Sequence, residues 1–331
     1  MVRMSEPHPL ELLLISLERY MAMDIDSTVE AIRSMEIRGA GRIARAGASA
    51  LGEFADTYAG NDLATFRKDL DAAKEKILGS RPTAVSLWNG VHATMRGVSA
   101  CATLEDARRT VSANAKAFNE SSVNAVKIIG EIGAKRIQDG DVILTHCNSS
   151  AALSVIKTAF RQGKKFRVYA TESRPWRQGI LTANELAKEG IDVTLIIDSA
   201  VRSVMKYVTK VFVGADTITS HGTLVNKVGT SQVALAANEA RVQLYVCSET
   251  YKFSPMTLFG DMVTIEERDH AEVIGDAKLE PGVKIFNPVF DSTPSKYIDA
   301  IITEVGMISP GSVYHVMTSQ LGDDIFRLIG E

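Results

Sequence analysis

The chain has few cysteines, little net charge and no long apolar stretch, and each shortage excludes a class of protein. Its 331 residues include three cysteines, Cys101, Cys147 and Cys247, which lie far apart and form no Cys-x-x-Cys pair. This spacing indicates neither a disulfide framework nor a zinc site, and it fits a protein of the reducing cytoplasm. The net charge of -3 gives no reason to expect a nucleic acid or an anionic membrane as the main partner.

The apolar stretch at residues 10–17 is interrupted by Glu11 and is followed at once by Glu18 and Arg19. It is too short to span a membrane, and no convincing signal-peptide cleavage site follows it. We therefore expect residues 1–24 to form an N-terminal extension, either as an amphipathic helix or as a poorly ordered segment.

The first third of the remaining chain shows helical spacing of apolar residues and few strand-like runs. Hydrophobic residues make up 45% of the sequence and charged residues 23%, which is ordinary for a globular enzyme of two domains. The predicted helices of this region are 26–35, 42–55, 63–78, 85–96 and 104–120, followed by a helical bridge at 121–137. We predict a helical domain at residues 25–122.

After Gly140 the pattern changes to short apolar runs that alternate with segments of helix length. The predicted strands are 141–147, 166–171, 193–198, 211–213, 244–247 and 300–303, with helices at 182–189 and 231–240 among them. Alternation of this kind is typical of a mostly parallel sheet with helices on both faces. The predicted fold class is therefore α/β, with the N-terminal helical domain followed by a Rossmann-like catalytic domain at residues 123–331.

The first of these strands leads directly into the most informative segment, residues 140–150. Cys147 follows the strand, and Ser149 can cap the helix predicted after it. The carboxyl ends of strands are where open α/β sheets bind ligands, and a helix amino terminus favours anions. Cys147 is therefore a candidate for chemistry, and the alternative is a small buried core cysteine.

Asp216 follows a later strand and has the same relation to the sheet. Since the carboxyl ends of parallel strands meet at one edge, Cys147 and Asp216 could face each other there across a crevice, and such a pair could act as acid and base. The alternative for Asp216 is a cap of a helix or turn. His146 points to the opposite strand face from Cys147, so we interpret it as a structural histidine.

Several cations and glycines near turns could bind phosphate. Arg38 and three small residues, Gly39, Ala40 and Gly41, precede a helix predicted to begin near residue 42, where backbone N–H groups would suit a phosphate. The stretch also fits the dinucleotide pattern GxGxxA, but a helix rather than a strand precedes it, so we reject a nicotinamide site. A plain turn between helices remains the alternative.

Further cations stand at Arg81, at Lys227 beside Asn226, and at Lys252. Each alone is more often a solvated surface charge, since lysine and arginine are mostly exposed. Together they could hold two phosphates.

The ordered combination of these segments resembles one known family across residues of about 25–310. The segments that carry the resemblance are Ile37-Arg38-Gly39-Ala40-Gly41, Arg81-Pro82-Thr83-Ala84-Val85, Leu144-Thr145-His146-Cys147, Gly214-Ala215-Asp216, Asn226-Lys227-Val228-Gly229-Thr230 and Asn287-Pro288-Val289-Phe290-Asp291 with Thr293-Pro294. The family includes methylthioribose-1-phosphate isomerase, archaeal ribose-1,5-bisphosphate isomerase and the regulatory subunits of the translation-initiation nucleotide-exchange factor.

Three features separate the branches of this family. The paired Cys147 and Asp216 resemble the enzymes rather than the exchange-factor subunits. The methylthioribose enzymes usually read RGAPAIG where this chain reads RGAGRIA, and they have an apolar segment at the place of Lys252. Because a second phosphate needs a cationic donor, the resemblance is closest to the ribose-1,5-bisphosphate isomerase branch.

The resemblance implies an intramolecular aldose–ketose isomerase that makes ribulose 1,5-bisphosphate in archaeal AMP salvage, for a carbon-fixing carboxylase. It implies Cys147 as the base and Asp216 as the acid, through a cis-enediolate-like intermediate, although a hydride shift would give the same product. The substrate-binding residues that it implies are Arg38, Gly39, Ala40, Gly41, Arg81, Ser149, Ser150, Ala151, Asn226, Lys227 and Lys252.

The resemblance also implies a homo-oligomer, a hexamer built as a trimer of dimers, and activation by AMP. The predicted reaction needs no cofactor and no metal, and the sequence contains no ligand cluster for one. We expect the partners to be a small sugar bisphosphate and further copies of the chain, without nucleic acid or membrane.

Overall fold

The computed structural model describes residues 23–259 and 263–321. All but the last two residues of the predicted extension 1–24 lie outside the described residues. The chain divides into two compact units, with the division after Ser122. Within the described residues, no helix is long and apolar enough to cross a membrane.

The unit before the division is helical. Its helices are α1 (Ile25–Arg33), α2 (Ala40–Thr57), α3 (Leu63–Leu78) and α4 (Val85–Met95), and α5 (Leu104–Ala134) begins in it. Asp24 and Asp62 cap α1 and α3, each carboxylate accepting a backbone N–H bond of 2.7 Å. Their apolar faces pack into one core that includes Ile32, Leu51 and Phe66.

Helix α5 is longer than predicted. Segments 104–120 and 121–137 were expected as two helices, and they form one helix of 31 residues that ends at Ala134. The sequence has no glycine or proline between residues 104 and 129, so nothing breaks the helix at the two serines 121 and 122.

The second unit is built on a seven-stranded sheet with the order β11-β10-β7-β4-β1-β2-β3. Its strands are β1 (Val142–Thr145), β2 (Arg167–Thr171), β3 (Asp192–Ile196), β4 (Lys210–Val213), β7 (Gln243–Cys247), β10 (Ala300–Thr303) and β11 (Gly306–Ile308). The pairing is parallel except between β10 and β11. All six predicted strands are present, and the predicted fold class is confirmed.

Helices cover both faces of this sheet. The helices that contribute to its cores are α6 (Ser150–Arg161), α7 (Gln178–Lys188), α8 (Val201–Val204), α9 (Thr230–Glu239) and α11 (Val313–Leu321), while the short α10 (Ala271–Ile274) buries no residue. Alternate residues of β4 enter different cores, with Val211 and Val213 on one face and Phe212 on the other. Burial on both faces explains why interior strands such as β1 and β4 are nearly continuous apolar runs.

A second sheet of four short strands was not predicted. Its order is β8-β5-β6-β9, and its strands are β5 (Thr217–Thr219), β6 (Leu224–Lys227), β8 (Phe253–Ser254) and β9 (Phe290–Thr293). Strands of two to four residues are too short to show a clear alternation of apolar and polar residues. This sheet carries Asn226 and Lys227 at the end of β6.

The order of the large sheet defines the place for a ligand. From the interior strand β1 the chain proceeds outward through β2 and β3, and then returns to the central strand β4 and proceeds in the opposite direction. Neighbours β1 and β4 therefore flank the point where the strand order reverses, and ligands of open α/β sheets bind outside the carboxyl ends of the strands at this point.

Candidate active site

Cys147 lies just beyond the carboxyl end of β1, with its main chain held on both sides. Its N–H donates to Ser173 Oγ at 2.7 Å, and its carbonyl accepts from Thr182 Oγ1 at 2.8 Å. Its φ of 68° is in the left-handed region, which costs a residue with a Cβ roughly 1–2 kcal/mol. The two hydrogen bonds therefore stabilise a conformation that the chain would not otherwise favour.

Helix α6 begins three residues after Cys147, as predicted. Ser149 caps it, because its Oγ accepts the Ala152 N–H at 3.3 Å. Ser150 and Ala151 occupy the first turn, where backbone N–H groups have no partner within the helix. This helix end can therefore bind an anion.

Asp216 lies beyond the carboxyl end of β4, at the same edge of the sheet. The intervening Gly214 passes so close to α6 that a Cβ on it would overlap Ser149 Oγ. The Asp216 N–H donates to Val225 O at 3.1 Å, which joins this turn to β6. The ends of β1 and β4 thus bring Cys147 and Asp216 together, as the sequence predicted for a parallel sheet.

The charges around Cys147 act in opposite directions on its thiol. Burial raises the pKa of Cys147 to about 11; the Lys227 ammonium opposes this increase, and the Asp216 carboxylate adds to it. The thiol of the unliganded protein is therefore protonated at neutral pH, and both charged groups lie near enough to influence its ionisation.

Asn226 and Lys227 end strand β6 and are both buried. The Asn226 amide donates to Thr230 Oγ1 at 3.0 Å, and the Lys227 ammonium lies 5.7 Å from the centre of the Phe290 ring. The structure thus places these two predicted binding residues in the same unit as Cys147, with Lys227 acting on its thiol.

His146 is buried, in agreement with the structural role predicted for it. Its Nε2 lies 2.9 Å from Val228 O, and its Nδ1 lies 2.6 Å from Thr171 Oγ1. Gly229, with φ of 103°, packs against the ring, where a Cβ would approach Cε1 to 2.9 Å. Both nitrogens are thus engaged within the protein.

Lys252 is not a free cation. Its ammonium lies 2.7 Å from Glu249 Oε2, and both side chains are buried, with 6% and 1% exposed. The Tyr251 hydroxyl donates to Glu249 Oε1 at 3.1 Å. Burial alone would raise the pKa of Glu249, but the Lys252 ammonium holds it below its ordinary value. Sequence reasoning missed this partner, although Glu249 stands only three residues before Lys252.

The remaining predicted binding residues belong to the helical unit. Arg38 and Gly39 precede α2, which begins at Ala40 rather than near residue 42, and Gly39 has φ of 90°. Arg81 lies in the turn before α4. The Ser86 hydroxyl donates to Ala40 O at 2.9 Å, so the starts of α2 and α4 lie side by side.

Residues 36–310 match the family described as the Initiation factor 2 subunit family. The chain belongs to this family. The resemblance inferred from the motifs is thereby confirmed.

Two relatives and one solved structure represent the branches of the Initiation factor 2 subunit family. Ribose 1,5-bisphosphate isomerase of Archaeoglobus fulgidus is 52% identical over 90% of this chain and 94% of its own. Methylthioribose-1-phosphate isomerase of Thermosipho africanus is 38% identical over 85% of each chain. The translation initiation factor eIF-2B of Pyrococcus horikoshii superposes with a TM-score of 0.75 at 34% identity, over 86% of this chain and 97% of that chain. The 52% identity to the Archaeoglobus fulgidus isomerase places this chain among the enzymes of the family, as an isomerase.

Proposed function

We propose that the chain converts ribose 1,5-bisphosphate to ribulose 1,5-bisphosphate, with Cys147 as the base and Asp216 as the acid. The observation that carries this proposal is that Cys147 and Asp216 follow the two strands between which the strand order reverses, near enough for the Asp216 charge to act on the thiol. Lys227 supports it, because its ammonium favours the thiolate form of Cys147. The Archaeoglobus fulgidus relative bears the name of this activity.

The reaction moves one hydrogen from C2 of the sugar to C1. Asp216 donates a proton to the ring oxygen as the bond from that oxygen to C1 breaks, and the Cys147 thiolate removes the proton from C2. An enol with a C1–C2 double bond results. Cys147 then returns its proton to C1, while the C2 hydroxyl gives its proton to Asp216 and becomes the ketone. Both side chains finish in the form in which they began.

Phosphate binding is assigned to the residues that the family pattern identifies. Backbone N–H groups at Ser149, Ser150 and Ala151 offer an anion site at the start of α6, and Asn226 and Lys227 add polar groups from β6. We assign phosphate binding also to the four residues from Arg38 to Gly41, to Arg81 and to Lys252.

The wider context belongs to the same proposal. The enzyme acts in the cytoplasm, in archaeal AMP salvage that supplies a carbon-fixing carboxylase. It is activated by AMP and assembles as a homo-hexamer, a trimer of dimers.

The dependence of turnover on pH tests the assignment of acid and base. In the proposed active state Cys147 is a thiolate and Asp216 is protonated, whereas in the resting state Cys147 is a thiol and Asp216 a carboxylate. The pair holds one proton in both states, so the ratio of the two states does not depend on pH. We therefore expect kcat/KM to change less than about threefold between about pH 7 and 9.5, well below the Cys147 pKa of about 11. Initial rates at low substrate, with stability followed by circular dichroism, measure this. A tenfold rise per pH unit would contradict a shared proton.

Methylthioribose-1-phosphate isomerase is the second candidate, and one observation favours it. Glu249 already neutralises Lys252, which was expected to meet the second phosphate. A substrate with one phosphate and an apolar methylthio group places no such demand on this lysine.

The variant Lys252→Ala distinguishes the two substrates. We expect kcat/KM for ribose 1,5-bisphosphate to fall by the equivalent of about 1.5–3 kcal/mol, because a charged hydrogen bond to phosphate is lost, while methylthioribose 1-phosphate is little affected. The matched control is Lys210→Ala. Lys210 forms an ion pair of the same length, 2.7 Å, with Asp141, and this pair lies at the opposite edge of the sheet. An unchanged ratio of the two specificity constants would exclude Lys252 as a contact for the second phosphate.

The test of the function itself is an assay on ribose 1,5-bisphosphate beside methylthioribose 1-phosphate, with and without AMP. We expect turnover of the bisphosphate. Turnover of the methylthio sugar alone would favour the second candidate, and turnover of neither would refute both.

A further inference from the structure

A continuous chain of hydrogen bonds joins the Cys147 main chain to the loop after β6. The Cys147 N–H donates to Ser173 Oγ at 2.7 Å, and Ser173 Oγ lies 3.2 Å from Thr171 Oγ1. Thr171 Oγ1 lies 2.6 Å from His146 Nδ1, and His146 Nε2 lies 2.9 Å from Val228 O. The side chains of Thr171, Ser173 and His146 are all buried.

The two ends of this hydrogen-bond chain fix the direction of its outer bonds, while the Ser173 hydroxyl has two further acceptors, His146 Nδ1 at 3.4 Å and Thr171 O at 3.5 Å. Val228 O can only accept, so His146 Nε2 carries the hydrogen and Nδ1 is an acceptor. Thr171 therefore donates to His146 Nδ1 and can accept from Ser173, whose oxygen accepts from the Cys147 N–H. Burial lowers the pKa of His146, which favours the neutral ring that this arrangement requires.

This chain of hydrogen bonds ends at Cys147, the proposed base, whose backbone conformation sets the direction of its thiol. Cys147 has φ of 68°, and Ser173 itself has φ of 59°. The Asp198 carboxylate fixes Ser173 from the other side by accepting the N–H groups of Ser173 and Arg174, each at 2.8 Å. Strained backbone of this kind persists only where surrounding contacts determine it.

We propose that Thr171 and His146 are positioning residues, which hold the left-handed turn at Cys147 through Ser173 and so aim the thiol at the substrate. The catalytic consequence rests on the function proposed above. The hydrogen bond to Ser173 also occupies the Cys147 N–H, so this group is not available to a substrate oxygen. The anion-binding N–H groups of this segment are therefore those at the start of α6.

The variant pair Thr171→Val and Thr171→Ser separates the hydroxyl from the shape of the side chain. Valine keeps the volume and removes the 2.6 Å bond to His146 Nδ1, which leaves the longer 3.4 Å contact from Ser173 Oγ, whereas serine restores the hydroxyl. We expect Thr171→Val to lower kcat on ribose 1,5-bisphosphate by about 10–100-fold with KM within about threefold, because a displaced reacting group loses alignment. Thr171→Ser is expected to recover most of this loss.

The matched control is Thr303→Val. Thr303 is also a buried threonine at the last position of a strand of the same sheet, and its hydroxyl donates to Gly306 O at 2.7 Å. We expect its kcat within about twofold of the unsubstituted enzyme. A Thr171→Val kcat equally close to the unsubstituted value, or a Thr171→Ser variant as impaired as Thr171→Val, would overturn the positioning role. The positioning role would also be overturned if the loss of kcat in Thr171→Val equalled the fraction of unfolded protein measured by circular dichroism.

A second measurement needs no substrate. Iodoacetamide alkylation at pH 9, followed by peptide mass spectrometry, gives the rate at Cys147 relative to Cys101 in the same molecule. Because burial raises the Cys147 pKa, a loosened turn that admits water increases the thiolate fraction, and we expect Thr171→Val to raise this relative rate by about fivefold or more. An unchanged rate overturns the proposal. Absence of turnover in the unsubstituted enzyme would refute the proposed reaction and leave alkylation to decide the positioning role.

Discussion

Cys147→Ser is expected to reduce kcat on ribose 1,5-bisphosphate by about 10²–10⁴-fold, with KM nearly unchanged, because removal of the base costs this much in general acid–base catalysis. A serine hydroxyl ionises far less readily than a thiol, so no anion is available to take the C2 proton. The left-handed turn should survive, since Ser173 and Thr182 bind main-chain atoms at this position. The loss therefore reports chemistry and not folding.

Cys101→Ser is the matched control for this experiment. Cys101 is also half-buried, and its thiol donates to Gly97 O at 3.5 Å in the helical unit. We expect its kcat within about twofold of the unsubstituted value. Turnover by Cys147→Ser within tenfold of the unsubstituted enzyme would remove Cys147 from the role of base. Circular dichroism of both variants verifies that the comparison is made on folded protein.

Six of the seven strands of the large sheet could be predicted because each is a short, largely apolar run with a break on either side, whereas the three-residue edge strand β11 was missed. For β10 the predicted and observed bounds agree at 300–303, and β4 differs by one residue. The interior parallel strands, such as β1 and β4, are buried on both faces, so hydrophobicity alone indicates them. The position of Cys147 and Asp216 at one edge then follows from the parallel arrangement, without knowledge of any contact.

Contacts between residues far apart in the chain could not be predicted in this way. The sequence contains no signal that Ser173 accepts the Cys147 N–H, since 26 positions separate them and their meeting depends on the β1–β2 register. The strand-end position of Thr171 was evident, but its partner His146 was not. The pairing of Lys252 with Glu249 depends on a turn of the chain after β7 that spacing alone does not fix.

Asp216→Asn is expected to lower kcat by about 10²–10⁴-fold, because asparagine keeps the size and polarity of the side chain but cannot transfer a proton. Burial is the main cause of the raised Cys147 pKa, and the Asp216 carboxylate adds to it. The variant removes this negative charge. The thiol should therefore ionise more readily, and alkylation of Cys147 at pH 9 should become faster while turnover falls.

The pH profile of Asp216→Asn adds a third readout with a definite sign. Without a carboxyl to share the proton, the variant depends on free thiolate alone, so kcat/KM should rise about tenfold per pH unit below the thiol pKa, where the unsubstituted enzyme is flat. Asp216→Glu is the matched control, because it retains a proton donor and the negative charge, and a flat profile is expected. If Asp216→Asn turned over more slowly but its alkylation rate were unchanged and its pH profile flat, Asp216 would affect neither the thiol nor the proton balance. The acid would then be another residue at this edge of the sheet.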